Sequence, residues 1–339
     1  MPVFPADQLV QIGTRLFESA GAPADIALLV ATSLVDANLA GHDSHGVVRI
    51  PQYLGQIASG ELKPAERPQI VRDRGTAVLV DGCWGFGQVA ARFATELAIQ
   101  RAREHHLAAV SVGRCNHIGR LGEWSELAAA SDVACLVTSC YGSGPYAAAP
   151  HGGAKRVLST NPLSFAAPVD DGRVLVDFAT TVVAEGKIRV ARAKGEQLPP
   201  GAIIDAAGRP TTNPEDYYAG GMLLPFAGHK GFGLAVMVEL LSVAIGGADE
   251  LDPQRAYGSL FLCLDTGAFR ASAGYRRYAE QFRERITSAP PAQGFSEVLL
   301  PGEPEQRARR QRCQEGIPVP EATWEAIQQA ARERGVRLE

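Results

Sequence analysis

The segment GHDSHGVVRIPQYL, Gly41 to Leu54, gathers two histidines, a serine, an arginine and a tyrosine into one short stretch. His45, Arg49 and Tyr53 follow one another at intervals of four, the spacing that stacks side chains along one helix face. Three readings compete: a solvated helix end, a metal site, or a place where a proton and a carboxylate are handled together. Imidazole titrates near 6.5 when unperturbed, so it can give and regain a proton at neutral pH. Guanidinium is planar and permanently charged, and it grips a carboxylate through two contacts. One turn of helix carrying both would orient a small acid for proton transfer.

Other segments carry weaker signals. GRCNHIGRLGEW sets Asn116, His117, Gly119 and Gly122 between a strand and a helix, and a histidine at a strand's C-terminal end suits a ligand crevice. A helix-entry histidine satisfied by backbone explains this segment equally well. LSTNPLSFAAP and VLVDFATTVVAEGKI combine hydroxyls, an amide and a carboxylate with small residues. There Asn161-Pro162 is a turn signal and Asp177 reads as a strand-end cap. In LLPFAGHKGFGLAVMVELL, Gly228, Gly231 and Gly233 flank His229-Lys230 directly before an apolar helix, an arrangement suited to phosphate at a helix N-terminus.

GSGPYA (Gly142 to Ala147) matches a loose GxGxxA, yet Pro145 and Pro150 interrupt the helix that a dinucleotide loop must open. It is read as a glycine turn. His42 and His45 lie three apart without HExxH or grouped Cys/His spacing, so no metal ligand is assigned and His42 is read as a polar loop residue. The run RARRQR (Arg307 to Arg312) is read as a solvated helix face.

The elements that must position these residues change in period along the chain. PADQLVQIGTRLFESAG and PADIALLVATSLVDANLAG read as helices closed by Gly21 and Gly41. A third helix is expected after Gly41, with Ser44 as its cap, and Pro51 kinking it or opening another. Then TAVLVDG, AAVSVG and VACLVTSC alternate as strands with helices GQVAARFATELAIQRAREHH and GRLGEWSELAAAS, an α/β pattern with partly parallel order. Later strands are expected at RVLVDFAT, SLFLCLD and SEVLLPG. GHKGFGLAVMVELLSVAIGGA is apolar nearly all round and reads as a buried helix, and TWEAIQQAARERG as a final amphipathic one.

The chain has 339 residues, 46% hydrophobic and 21% charged, enough for a large core and more than one lobe. Net charge is −4, so no overall basic field draws nucleic acid or anionic lipid, and small anions must be attracted by local cations. Six scattered cysteines without a CxxC pair read as reduced thiols of a cytoplasmic protein. No signal peptide or membrane span is expected from MPVFPADQLV or any later run.

Together, GHDSHGVVRIPQY, NHIGRLGEW, STNPLSFAAP, DFATTVVAEGKI, LLPFAGHKGFGLAVMVELL and LLPGEPE resemble the malate/L-lactate dehydrogenase-like family of NAD(P)-dependent oxidoreductases, in family order from residue 41 to 305. The resemblance implies an α/β, mixed-sheet, non-Rossmann nicotinamide-binding fold with a helical lobe from both termini. Its implied regions are 1–72 joined by 304–339, 73–132, and a cofactor-binding unit 133–303. It implies a homodimer with the active site between subunits. By similarity His45 is the proton donor and Ser44 its relay partner; Arg49, Tyr53 and Thr160 are substrate contacts. Asp177, Phe178, Ala179, Lys187, His229 and Lys230 are cofactor positions for NAD or NADP. His117 matches a histidine at cofactor and active site, brought from the other subunit, which some members credit with the acid role.

Departures from the family pattern are Ala227 and Ser159 in place of glycine, Thr181 in place of serine, and Arg114-Cys115 ahead of the NH pair. Imine-reducing relatives tend to carry an acid where this chain has Lys187, and a lysine suits a cationic iminium poorly. The expected substrate is therefore a 2-oxo or 2-hydroxy acid of malate, lactate or larger hydroxycarboxylate type. A reductase of cyclic imino acids such as pyrroline- or piperideine-2-carboxylate is the alternative.

Overall fold

The computed structural model describes residues 1–169 and 172–338. A short strand β1 (Val3–Phe4) leads into α1 (Ala6–Ser19) and α2 (Ala24–Leu39), followed by α3 (Ile50–Ala58). Next come β2 (Gln69–Asp73), β3 (Ala77–Asp81), α4 (Gly87–His105), β4 (Leu107–Gly113), α5 (Leu121–Ala129) and β5 (Val133–Tyr141). β6 (Leu163–Val169) and β7 (Gly172–Phe178) precede α6 (Glu185–Lys194) and the small elements β8 (Ile203–Ile204), β9 (Pro210–Thr211), α7 (Pro214–Tyr218) and β10 (Met222–Leu223). The last part holds α8 (His229–Glu239), α9 (Ala248–Leu251), β11 (Tyr257–Asp265), α10 (Ser272–Thr287), α11 (Glu303–Glu315), β12 (Ile317–Pro318) and α12 (Glu321–Glu333).

The main sheet has seven strands in the order β2-β3-β4-β11-β5-β6-β7. Only β3–β4 is parallel; β11 inserts antiparallel between β4 and β5. Alanine decides how closely the sheet is covered. Ala90, Ala94, Ala98 and Ala102 recur on one face of α4, each at most 1% exposed, so the helix backbone lies near β4 and β11. A second core joins the two chain ends: Leu9, Leu16, Phe17, Leu34, Ile50 and Tyr53 pack with Ile317, Val319 and Ile327. Strand β1 pairs with β12, Val3 opposite Pro318. Among the described residues no helix is long and apolar enough to cross a membrane.

Three expectations fail for identifiable reasons, and one strand lies where none was expected. SEVLLPG forms no strand: Pro301 has no N–H to give a ladder, and only its carbonyl meets Leu175 N–H, while Gly302 turns away at φ +98°. LSFAAPV, read only for its polar neighbours, is strand β6. RARRQR lies on α11 but is not simply solvated, since Arg309 pairs with Asp36 and Arg312 with Asp43. The apolar helix α8 is not buried all round. Val238 packs with Cys140 of β5 and Ala235 with Leu158 and Ile203, whereas Val236, Met237 and Leu240 are 37–50% exposed, and Ile245, at the end of the π-helical turn Leu240–Ile245, is 74% exposed.

Candidate active site

The third helix does not start where the four-residue spacing places it. Two single 3-10 turns, Asp43–His45 and Val47–Arg49, are separated by Gly46 in extended backbone, and α3 begins at Ile50 with Pro51 in its first turn. His45, Arg49 and Tyr53 therefore share no continuous helix face, and Ser44 lies inside a turn instead of capping one. The break has a tertiary cause. A Cβ on Gly46 would lie 2.1 Å from Asn38 Oδ1, so only glycine lets the chain pass α2 there. Asn38 accepts from Val47 N–H at 2.8 Å and donates to Asp43 Oδ1 at 2.6 Å. Arg312, arriving from α11, donates to Asp43 Oδ1 at 2.6 Å and to the Asn38 carbonyl.

On this held turn, Ser44 Oγ lies 3.0 Å from His45 Nδ1. Arg49 Nε donates to the Ser44 carbonyl and Nη1 to Gln52, both at 2.7 Å. His117, on the loop between β4 and α5, stacks against His45 with ring centroids 5.4 Å apart and planes 21° from parallel. Both histidines belong to one chain, so His117 does not need to be delivered by another subunit. They line a cavity of about 90 Å³ together with Ser139, Tyr141, Ser159, Thr160, Leu121 and Tyr257. That is well below the ~300–1,000 Å³ of sites enclosing drug-sized ligands. It has room for a small acid, not for a dinucleotide. Tyr53 stands behind the wall, 1% exposed, its hydroxyl 2.8 Å from His117 Nδ1 and 2.9 Å from Gln88 Nε2.

Burial pushes His45 down to about 3, with the Arg49 charge adding to the effect. His117 is lowered well below its ordinary value by burial, then by Arg49 and His45. In the free site both rings are neutral at pH 7. The unperturbed titration near 6.5 does not survive the fold, and the free His45 ring is a proton acceptor at neutral pH. Burial likewise raises the Tyr53 phenol to about 12, so it keeps its proton and can only donate or accept a hydrogen bond.

A second patch adjoins the cavity. The Thr160 carbonyl accepts from Thr180 N–H and its hydroxyl, both at 3.0 Å, and Phe226 N–H reaches the Thr180 carbonyl. Phe178 and Phe226 meet edge to face at 5.5 Å. The chain then enters α8, where His229 and Lys230 are exposed. Lys230 and Gly231 N–H are already bonded to the Ala227 and Phe226 carbonyls, so attraction for an anion rests chiefly on the Lys230 side chain. Asp177 is turned inward: Oδ2 accepts from Gly122 N–H at 2.8 Å, serving the start of α5, and burial raises its carboxyl. Lys187 is exposed on the first turn of α6, and a Cβ on neighbouring Gly186 would come within 3.3 Å of Ser44 Cβ. No group of three His, Cys, Asp or Glu able to hold a metal occurs among the described residues; His42 lies 3.4 Å from Glu305 instead.

The family model of malate/L-lactate dehydrogenase matches residues 4–328. This chain belongs to that family. It is 40% identical to hydroxycarboxylate dehydrogenase B of Escherichia coli O157:H7 over 98% of this chain and 94% of that protein. It is 35% identical to an L-lactate dehydrogenase of Cupriavidus necator, covering 97% of each. A malate/lactate dehydrogenase structure from E. coli superposes with TM-score 0.92 at 36% identity, covering 99% of this chain and 96% of the other. A Δ1-piperideine-2-carboxylate reductase from Pseudomonas syringae is more distant, at TM-score 0.84 and 29% identity, with 98% and 100% covered.

Seen as a malate/L-lactate dehydrogenase family member, the chain explains one of its departures. Ala227, in place of glycine, sits at φ +47°, the left-handed region that a Cβ disfavours. Ser159 donates to Asn161 Oδ1 at 2.5 Å, and Thr181 to the Val183 carbonyl at 2.9 Å, so one hydroxyl holds a side-chain amide and the other braces backbone. Sequence reasoning missed Ser139, Tyr141 and Tyr257 on the cavity wall, and Gln88, Asn38 and Arg312 behind it. Tyr141 ends β5, and the position of a strand's C-terminal end was a usable signal. Nothing near Arg312 in the sequence points to a residue 269 positions earlier.

Proposed function

We propose that this dehydrogenase interconverts 2-hydroxy and 2-oxo acids using NAD or NADP, with His45 moving the proton. The observation that carries the reading is the stacked pair His45–His117 on one small cavity beside Arg49. Arg49 spends two of its N–H donors on Ser44 and Gln52, leaving the others for a carboxylate. In the oxidative direction neutral His45 takes the hydroxyl proton as C2 loses a hydride; in the reductive direction its protonated form returns that proton to the carbonyl oxygen. Ser44 holds Nδ1 and leaves Nε2 toward the reacting oxygen. The hydride acceptor, and in reverse the donor, is the nicotinamide supplied when cofactor is bound.

For that cofactor, the exposed Lys230 ammonium with His229, and the Phe178–Phe226 rings next to Thr160, form a fitting donor set for pyrophosphate and for an apolar ring face. Phe178, Ala179, Lys187, His229 and Lys230 are the proposed contacts, with Asp177 acting from within through α5. Because β5 runs through Gly142 into a turn instead of a helix, the reading is of nicotinamide binding on a non-Rossmann fold. The regions are 1–72 with 304–339, 73–132 and 133–303. The exposed stripe Val236, Met237, Leu240 and Ile245 supports a homodimer burying this face, in a cytoplasmic protein without nucleic-acid or membrane partners.

The direct test is cofactor absorbance with NADH and NADPH against pyruvate, oxaloacetate, phenylpyruvate and a cyclic imine, with and without chelator. Turnover of a 2-oxo acid unaffected by chelator is expected; turnover of the imine alone would replace this reading with the cyclic imino acid alternative. Two neutral histidines beside Arg49, with Lys187 on the adjoining helix, disfavour a cationic iminium.

A further inference from the structure

We propose that Tyr53 and Gln88 are positioning residues that keep the His117 proton on Nε2, making His117 a fixed hydrogen-bond donor to the substrate oxygen while His45 alone exchanges a proton. The inference rests on the reading of this cavity as the substrate site.

The argument starts from a donor that cannot be reversed. Gly119 N–H points at His117 Nδ1 at 3.3 Å, and a backbone N–H only donates. Nδ1 therefore presents its lone pair, and the ring proton sits on Nε2. Tyr53 Oη, 2.8 Å from the same nitrogen, must then donate to it. With its proton directed at His117, Tyr53 offers a lone pair to Gln88, whose Nε2 donates at 2.9 Å. The chain runs one way: Gln88 to Tyr53 to His117. Turning the Gln88 amide round would set its carbonyl against a phenol oxygen that has no second proton to give.

Packing holds each member in place. The Tyr53 ring is wedged against Phe17 and Phe86 in the core that joins both chain ends. Gln88 is fully buried on the first turn of α4, and Gly87 beside it touches the His117 loop so closely that a Cβ would lie 2.3 Å from the His117 carbonyl oxygen. Gln88 Oε1 is buried with no hydrogen-bond partner. A core position that needed only volume would carry leucine or methionine and avoid that cost; the amide is retained where its N–H orients a phenol.

His45 has no such lock. Its Nδ1 meets the Ser44 hydroxyl, which rotates to donate or to accept, so either His45 tautomer and the imidazolium are all satisfied. Protonating His117 would instead set Nδ1–H against the Gly119 N–H. The two stacked rings thus divide the work, one polarising the oxygen and one carrying the proton.

The test is Tyr53→Phe, which keeps the ring and removes the donor, with Gln88→Leu as the second variant should the first fail to fold. Nitrogen NMR of ring-labelled protein reports which His117 nitrogen bears the proton, independently of any substrate. In the wild type Nε2 should be protonated and Nδ1 bare from pH 6 to 8. In Tyr53→Phe only the longer Gly119 contact still holds Nδ1, so a measurable share of the Nδ1–H tautomer should appear, and kcat for whichever acid the wild type turns over should fall about tenfold or more with KM within about twofold. In Gln88→Leu the Tyr53 hydroxyl is freed to turn, and a smaller loss in the same direction is expected. A wild-type His117 carrying its proton on Nδ1 overturns the proposal. So does a Tyr53→Phe enzyme with unchanged tautomer and unchanged kcat. If no 2-oxo acid is turned over by the wild type, the functional reading fails while the tautomer measurement still decides this one.

Discussion

Binding of a 2-oxo acid should draw a proton onto His45, and the size of the effect can be worked out. With its pKa pushed to about 3, only about one His45 in ten thousand is protonated at pH 7. Making it a competent acid there requires about four units, or about 5 kcal/mol. A carboxylate about 4 Å away contributes about 4 kcal/mol at the effective dielectric suited to protein sites, equivalent to about three units. The bound anion also offsets Arg49, the nearest charge depressing the ring. His45 in the complex should therefore titrate near 6. The assay is calorimetry with oxamate, a non-reducible 2-oxo acid analogue, on cofactor-saturated protein in two buffers of different ionisation enthalpy. About half a proton should be taken up at pH 6 and close to none at pH 8. His45→Gln should abolish the uptake and His117→Gln should leave it. Buffer-independent heats at pH 6 in the wild type, or uptake that persists in His45→Gln, would refute the reasoning and hand the proton to another group.

Arg49→Lys should raise KM about tenfold and lower kcat as well, since lysine cannot hold the Ser44 carbonyl and a carboxylate together; steady-state kinetics decide it, and an unchanged KM places the carboxylate elsewhere. Gly46→Ala drives a Cβ into Asn38 and should lower stability by about 1–3 kcal/mol with loss of turnover, checked by denaturant melts. Arg312→Ala should cost about 1 kcal/mol, discounted because Asp43 is 43% exposed, yet reduce kcat by more than that loss of stability explains. For pH, a histidine whose folded value lies below its unfolded 6.5 contributes stability fully present above 6.5 and lost as pH falls toward about 3. His45→Gln should accordingly flatten the decline in melting temperature between pH 6.5 and 4.5; a parallel decline would mean that the free site already holds imidazolium.

The types of residue at the site were legible where chemistry is local, and their geometry was not. His45 and His117 stand out in the sequence and line one cavity with Thr160, which the family resemblance supplied, while Ser44 braces the His45 ring from beside it. The spacing of His45, Arg49 and Tyr53 suggested a helix because nothing in the segment reveals that Asn38 occupies the space a Gly46 side chain would need. Tyr53 is a substrate contact by the family resemblance, yet phenylalanines 36 positions before and 33 after it, Phe17 and Phe86, enclose the ring. The alternation of strand and helix patterns foretold β3, β4, β5 and α4. They could not foretell that β11 inserts antiparallel between β4 and β5, since sheet order depends on contacts between segments far apart in the chain. The apolar composition of α8 suggested burial, and its half-exposed stripe shows that hydrophobic composition does not say which chain does the burying.

The placement of Arg312 follows from the weakness of the turn it holds. A 3-10 turn of three residues closes few hydrogen bonds of its own, and these have poorer geometry than α-helical ones. Neither turn carries a side-chain cap. Left to itself, Asp43–His45 would sample many positions, and displacement by about 1 Å at a reacting group can cost about a hundredfold in rate. A helix-favouring side chain at position 46 is blocked, because its Cβ would lie against Asn38. The constraint has to come from outside, and three charge-assisted contacts supply it: Asn38 and Arg312 on Asp43, and Arg49 on the Ser44 carbonyl. Asp43 is thus the anchor of the turn, and Ser44 and His45 gain their precision from a neighbour outside the cavity lining. That division explains why a helix near the C-terminus packs on α2 at all. Its arginines contribute little to a hydrophobic core, and Arg309 and Arg312 instead meet the two aspartates, Asp36 and Asp43, on either side of the point where α2 ends and the turn carrying Ser44 and His45 begins.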